Sequence, residues 1–162
     1  MAVNTEDLPY RPCVGLMIIN QDYQVFVGQR LDQQVEAWQM PQGGIDPGED
    51  AETAALREMA EEIGTGKAEI IAMADGDFLY DLPDHLVGKV WKGKYRGQSQ
   101  KWFLLRFTGE DSDINIETEH PEFGEWRWSP LNELIDMAVP FKRDVYTEVV
   151  AALAPHFPAD KR

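Results

Sequence analysis

Residues Gly43–Thr65 read GGIDPGEDAETAALREMAEEIGT. A glycine-rich turn, broken most strongly at Pro47-Gly48, runs into a stretch with helical character. The helix is expected to start near Asp50 and to end at Gly64, a natural C-cap. At about 100° per residue, Glu61 and Glu62 lie within about 60° of Glu58 around the axis. Like charges three and four residues apart repel, so the pattern suits a helix that holds something cationic. Leu56, Met59, Ala60 and Ile63 cluster on another arc and predict the core face. Ala51, Ala54 and Ala55 share the glutamate side, where small residues let the turn fold closely over the helix. The expectation is three carboxylates beside a backbone turn, at the surface.

Outward from that stretch, the 162 residues fit a single domain, 1–162, with a core over about 10–154. With 43% hydrophobic and 27% charged residues the composition is that of a globular protein. The net charge of −14 opposes nucleic-acid binding. That objection weakens if several carboxylates surround one metal site, because divalent ions invert the local field. Cys13 is the sole cysteine, so no internal disulfide forms and a reducing compartment is expected. The opening MAVNTEDLPYRP has neither the apolar stretch nor the cleavage pattern of a signal peptide. No apolar run approaches the roughly 20 residues of a transmembrane helix. The expectation is a cytoplasmic protein with no membrane partner, monomeric or a small oligomer, the monomer favoured.

Cys13–Ile19 reads as a buried strand, Asn20-Gln21-Asp22 as a turn and Val25–Gln29 as the hairpin partner. Leu31–Ala37 reads as a loop and Trp38–Met40 as a short strand stopped by Pro41. Ala68–Ala72 and Phe78–Leu82 are strand candidates. Val90–Phe107 reads as two strand-like runs about Gly97. Six of the fifteen basic residues lie in Lys89–Arg106, a local positive wall in an acidic chain. Asp111–Glu122 is an acidic loop, and Glu125–Ser129 alternates with Trp126 and Trp128 on one face. Leu131–Met137 and Phe141–His156 read as helices separated by Pro140. The sum is one α+β unit.

Most catalytic chemistries fail on spacing. His85, His120 and His156 are too scattered for a metal site, and no serine elbow is present. Gly64-Thr65-Gly66-Lys67 lacks the span of a phosphate loop, and Asp46, Asp50 and Glu58 lack EF-hand spacing. What remains is carboxylate oxygen on one helix. Hard oxygen ligands select Mg2+, or Mn2+, over zinc or copper. The chemistry this suggests is metal-assisted attack of water on a phosphate chain.

The full spacing is Gly43, five residues, Glu49, seven residues, then Arg57-Glu58-Met59-Ala60-Glu61-Glu62-Ile63-Gly64. This resembles the Nudix hydrolase motif at every fixed position, with Thr65 where an aliphatic residue is usual. Tyr10-Arg11-Pro12, Trp38–Gly44, Gly97–Phe103, Pro121-Glu122-Phe123, Trp126-Arg127-Trp128 and Phe141–Tyr146 extend the likeness to one branch. That branch contains bacterial RNA pyrophosphohydrolases and dinucleoside polyphosphate hydrolases. The resemblance implies a Nudix fold, a mixed β-sheet sandwiched between α-helices. It implies a hydrolase whose substrate is 5′-triphosphorylated RNA or a dinucleoside polyphosphate, with a role in mRNA decay for the former.

The resemblance also implies roles. Glu58, Glu61 and Glu62 form the metal-binding and base-supplying group, and spacing leaves open which glutamate is the base. Glu122 matches a further metal-binding or catalytic glutamate, and a carbonyl near Gly43 adds a metal ligand. Arg57, counted with the catalytic group, is expected to orient a carboxylate by ion pairing rather than touch substrate. Glu49 is expected to hold the turn. Arg11, Arg30, Lys101 and Lys142 are candidate phosphate contacts. Gln98 joins them as a substrate-binding candidate, and Tyr80 and Phe141 are candidate base-stacking platforms. Trp38, Trp102, Trp126 and Trp128 are expected to pack the core. A non-catalytic nucleotide sensor is the alternative of another class; the complete carboxylate set opposes it.

Overall fold

Asn20 closes the first hairpin by side-chain chemistry. Its Oδ1 accepts from the Asp22 and Gln24 amides at 3.0 and 2.9 Å, the turn behaviour that suits asparagine. The strands it joins are β1 (Tyr10–Ile19) and β2 (Val25–Arg30). The computed structural model describes residues 7–31 and 37–162. The expected loop over 31–37 falls almost wholly outside them, as does the start of the expected polar opening.

Six further strands complete one mixed sheet among the described residues: β3 (Trp38–Gln39), β4 (Gln42–Gly44), β5 (Ala68–Met73), β6 (Phe78–Asp81), β7 (Gly97–Phe107) and β8 (Phe123–Ser129). β1 lies parallel to β7 from Tyr10↔Gly97 through Ile19↔Arg106. The other edge of β1 is divided. β4 pairs with it at Cys13–Gly15, and β2 joins only at Ile19↔Val25. β7 is divided likewise, with β6 against Gly97–Gln100 and β5 against Phe103–Phe107. The turn expected around Gly43 is therefore partly strand: Gln42–Gly44 is β4.

The first helix, α1 (Ala51–Ile63), begins and ends where expected. Asp50 caps it by accepting from the Thr53 amide at 2.7 Å. Gly64 ends it at φ 75°, a left-handed conformation that glycine adopts without a Cβ clash. Its buried face differs from the expected one. Ala54, Ala55, Met59 and Ile63 are fully buried, whereas Leu56 is 38% exposed and Ala60 is also exposed. The helix is rotated so that its alanines pack beneath the sheet, and this carries Glu58 and Glu62 inward as well.

Side-chain alternation along the central strands splits the core in two. Val14, Leu16 and Ile18 of β1 and Phe103, Leu105 and Phe107 of β7 pack with α1. Met17, Ile19, Trp102 and Leu104 face the opposite layer, α2 (Leu134–Met137) and α3 (Arg143–Leu153). The expected sandwich is thus present. Trp38 and Trp102 are buried, and Trp126 and Trp128 pack partly buried against the α1-side cluster. The helices expected over 131–137 and 141–156 are α2 and α3, extended by 3-10 turns at Leu131–Glu133, Pro140–Lys142 and Ala154–His156. The first strand-like run, from Val90, is no strand. It contains a 3-10 turn at Trp91–Gly93, with positive φ at Trp91 and Lys92.

Candidate active site

β4 and α1 bring the motif together through Arg57. Nε and Nη2 donate to the two Glu49 oxygens at 2.8 Å each. Nη1 donates to Glu58 at 2.9 Å and to Glu61 at 3.1 Å. Nη2 also donates to the Gly44 carbonyl at 2.8 Å. These bonds use all five guanidinium donors. Arg57 therefore ties the turn to the helix and aims two carboxylates. Glu49 in turn accepts from the Asp46 amide at 3.1 Å. The Arg57 bonds, followed by that amide, hold the Glu49 carboxyl well below its ordinary range, at about 2.

Glu58 and Glu62 are 9% and 5% exposed, which corrects the expectation that all three motif glutamates sit at the surface; Glu61 does. Burial pushes the Glu58 carboxyl up, against the opposing pull of Arg57. Burial, then the charges of Glu58 and Glu122, push Glu62 well above its ordinary range. Glu62 Oε2 is buried without a hydrogen-bond partner among the described residues. Such an orphaned acceptor is costly in the bare protein and suits a cation. Gly43 lies so close that a Cβ there would coincide with the Glu58 carboxylate.

The carboxylates open into a cleft of about 620 Å3. Of the expected residues, it is lined by Gly43, Glu58, Glu61, Glu62, Glu122, Arg11, Arg30, Gln98, Phe141 and Lys142. Arg30 Nη2 lies 3.4 Å from Glu122 Oε2. Gln98 is fixed by a relay in which the Trp102 indole donates to Gln100, and Gln100 donates to Gln98 and Gln42. Lys142 is 4% exposed, donates to Gln39 at 3.3 Å and lies 5.9 Å from the Phe141 ring centre. Arg57, which holds the motif together, does not line the cleft, and neither do two expected substrate-binding residues. Tyr80 is buried behind Phe141, at 5.8 Å between ring centres, and Lys101 points away to pair with Asp77 at 2.9 Å. Leu82, Leu86, Val90 and Trp91 line it unexpectedly. The expected positive wall over Lys89–Arg106 is not part of the cleft: none of its six basic residues lines it, and Arg96 and Lys101 pair with Asp81 and Asp77 instead. A smaller recess of about 350 Å3 shares the four glutamates and adds Thr118, Glu119 and His120.

The NUDIX domain profile matches residues 9–149. An RNA pyrophosphohydrolase of Sphingopyxis alaskensis is 58% identical over 155 residues, 94% of this chain and 98% of that one. An RNA pyrophosphohydrolase of Roseobacter denitrificans is 60% identical over 151 residues, 92% and 94% of the two chains. Among solved structures, the E. coli dihydroneopterin triphosphate pyrophosphohydrolase superposes with a TM-score of 0.62 at 20% identity, covering 88% of this chain and 98% of that one. A C. elegans Ap4A hydrolase gives 0.59 at 23% identity with the same coverage. The chain belongs to the Nudix family. It is a hydrolase that acts on phosphoanhydride bonds.

Nudix hydrolases generally use divalent metal ions. The donor chemistry here fits one: hard carboxylate oxygens, a buried orphan on Glu62 and backbone packed against Glu58. Among the described residues no three acidic, histidine or cysteine side chains are gathered closely enough to hold an ion as they stand. Glu58 and Glu61 bond to Arg57 instead.

Proposed function

We propose that this protein removes pyrophosphate from 5′-triphosphorylated RNA. The observation that carries the reading is one cleft with four glutamates on one side and Arg11, Arg30, Lys142 and Phe141 around the rest. The two relatives near 60% identity, both named RNA pyrophosphohydrolase, support the same substrate. Glu58, Glu61, Glu62 and Glu122, with the Gly43 carbonyl, would hold Mg2+ or Mn2+. The bound ion supplies charge for the phosphate oxygens and lowers the pKa of the attacking water.

The chain's own groups do the rest. Glu58, or another of the four glutamates, takes the proton from water. Arg57 holds Glu58 and Glu61 in place and has no donor left for substrate. Arg11, Arg30 and Lys142 bind the phosphate chain, with Arg30 leaving Glu122 or bridging to it. Gln98 orients the nucleotide, and the half-buried Phe141 ring stacks on a base. We place the activity in the cytoplasm, in a monomer, as a step in mRNA decay.

The test is initial rates on 5′-triphosphorylated RNA and on diadenosine tetraphosphate, side by side, with magnesium. RNA turnover at least equal to dinucleotide turnover is expected. RNA turnover slower by orders of magnitude transfers the site to dinucleoside polyphosphates.

A further inference from the structure

The cleft wall formed by residues 82–96 has an unusual backbone where it meets Arg11. The ends of the segment are tied: the Leu82 amide donates to the Arg96 carbonyl at 2.8 Å, and the Arg96 amide donates to Pro9 at 3.0 Å. Arg96 Nε also pairs with Asp81 at 2.9 Å. Inside this closed loop Trp91 and Lys92 have φ of 47° and 56°. Bulky L-residues rarely adopt that region, and it persists only where the surroundings fix it. The fixed object is the Trp91 ring. Tyr95 meets it edge-on, with ring centres 6.1 Å apart, and the Arg11 guanidinium lies over it, 5.5 Å from its centre.

Arg11 is placed differently from the other arginines beside the motif glutamates. Arg57 spends every donor on the motif, and Arg30 pairs with Glu122. Among the described residues, the one side-chain hydrogen bond of Arg11 is a long one, from Nη1 to the Cys13 thiol at 3.7 Å. Its Nη2 lies 2.6 Å from where a Cβ on Gly44 would stand, so the group rests against the backbone beside the motif glutamates. A guanidinium held over a ring face is fixed in position by the π-system without a side-chain acceptor taking up its N–H donors.

We propose that Trp91 is a positioning residue. Its ring holds the Arg11 guanidinium over its own face, fixing the cation beside the cleft so that its N–H donors meet the phosphate chain of the substrate. This rests on the reading of Arg11 as a phosphate contact and extends it to a residue on the opposite segment of the cleft.

The experiment is a double-mutant cycle in steady-state kinetics, run with magnesium on triphosphorylated RNA and on diadenosine tetraphosphate. Trp91→Leu keeps apolar bulk but loses the aromatic face, and Trp91→Phe restores a weaker one. Trp91→Leu is expected to raise KM about five- to tenfold with kcat nearly unchanged, and Trp91→Phe to recover most of the loss. In an Arg11→Ala background, Trp91→Leu should add nothing. A penalty of equal size with and without Arg11 overturns the proposal, because the ring then touches substrate itself. An unchanged KM overturns it too. Should the leucine variant fail to fold, the smaller Trp91→Phe effect must vanish in the Arg11→Ala background or the proposal falls. A wild type that cleaves the dinucleotide but not RNA removes the RNA reading alone, and the cycle is then read on the dinucleotide. Inactivity on both substrates overturns both.

Discussion

Gly43 and Glu58 share one volume: a Cβ on Gly43 would fall on the Glu58 carboxylate. Gly43→Ala must therefore displace Glu58 from its bond to Arg57. The expected cost is about 1–3 kcal/mol in stability and roughly 100-fold in kcat/KM, the scale of a misplaced catalytic group. Thermal melts and steady-state kinetics check both. An alanine variant with wild-type kinetics would show that Glu58 does not act from this position.

Arg57→Lys keeps the charge and loses the fork. One ammonium cannot replace five N–H bonds to Glu49, Glu58, Glu61 and Gly44. The variant should lose about 2 kcal/mol of stability, and its activity should fall with little change in KM, since Arg57 faces the motif and not the substrate. A rise in KM alone would contradict that assignment.

Glu62→Gln should reduce hydrolysis at least about 100-fold while raising the melting temperature of the metal-free protein by roughly 3–8 °C. A buried Glu62 oxygen with no hydrogen-bond partner among the described residues costs the bare protein stability that a bound cation would return. Retained activity would remove Glu62 from the metal-binding group.

The same carboxyls set a pH dependence. Glu62 and Glu58 bind protons more tightly when folded than when unfolded, so folding takes up protons above the ordinary glutamate value. Stability of the metal-free protein then falls as pH rises from near 4.5 through the folded-state values. Glu49 acts in the opposite sense, its contribution being lost only as pH falls toward about 2. Metal-free protein should melt at a higher temperature near pH 5.5 than near pH 8, and a divalent cation should remove the difference. Melts across that range, with and without chelator, decide it; a rise with pH in the metal-free state would be the wrong sign.

Tyr146→Phe probes the layer behind the site. The Tyr146 hydroxyl accepts from the Met40 amide at 2.8 Å, tying α3 to the segment that leads into Gly43. Its loss leaves a buried amide unpaired, at about 1–3 kcal/mol. Chemical denaturation measures it.

The motif helix was legible because its punctuation is local. Asp50 and Gly64 act through their own backbone neighbourhood, and both ends fell where sequence placed them. The face of α1 was less legible. Leu56 is the more apolar residue, yet Ala54 and Ala55 are buried, because close approach of the sheet favours small side chains over large ones. That packing also buries Glu58 and Glu62, which charge alone argues against. Lys101 and Tyr80 were misplaced for a related reason. Whether a strand residue faces the cleft depends on sheet register and on what covers it, and Asp77 and Phe141 settle both cases from elsewhere in the chain. Trp91 was hidden because its left-handed backbone has no signature in its own residue type.

The divided edges of β1 and β7 separate two jobs along the same pair of strands. Arg11, Gly43, Gly44, Gln98 and Leu82 come from or adjoin the half where β4 and β6 pair. The half paired with β2 and β5 carries Ile18, Ile19, Leu105 and Phe107 into the two cores. Substitutions at the cleft-lining positions of the first half should therefore register as altered substrate selection, and those at the core positions of the second as altered lifetime of the folded chain. A lineage can retune one without renegotiating the other, although both are written on the same two strands.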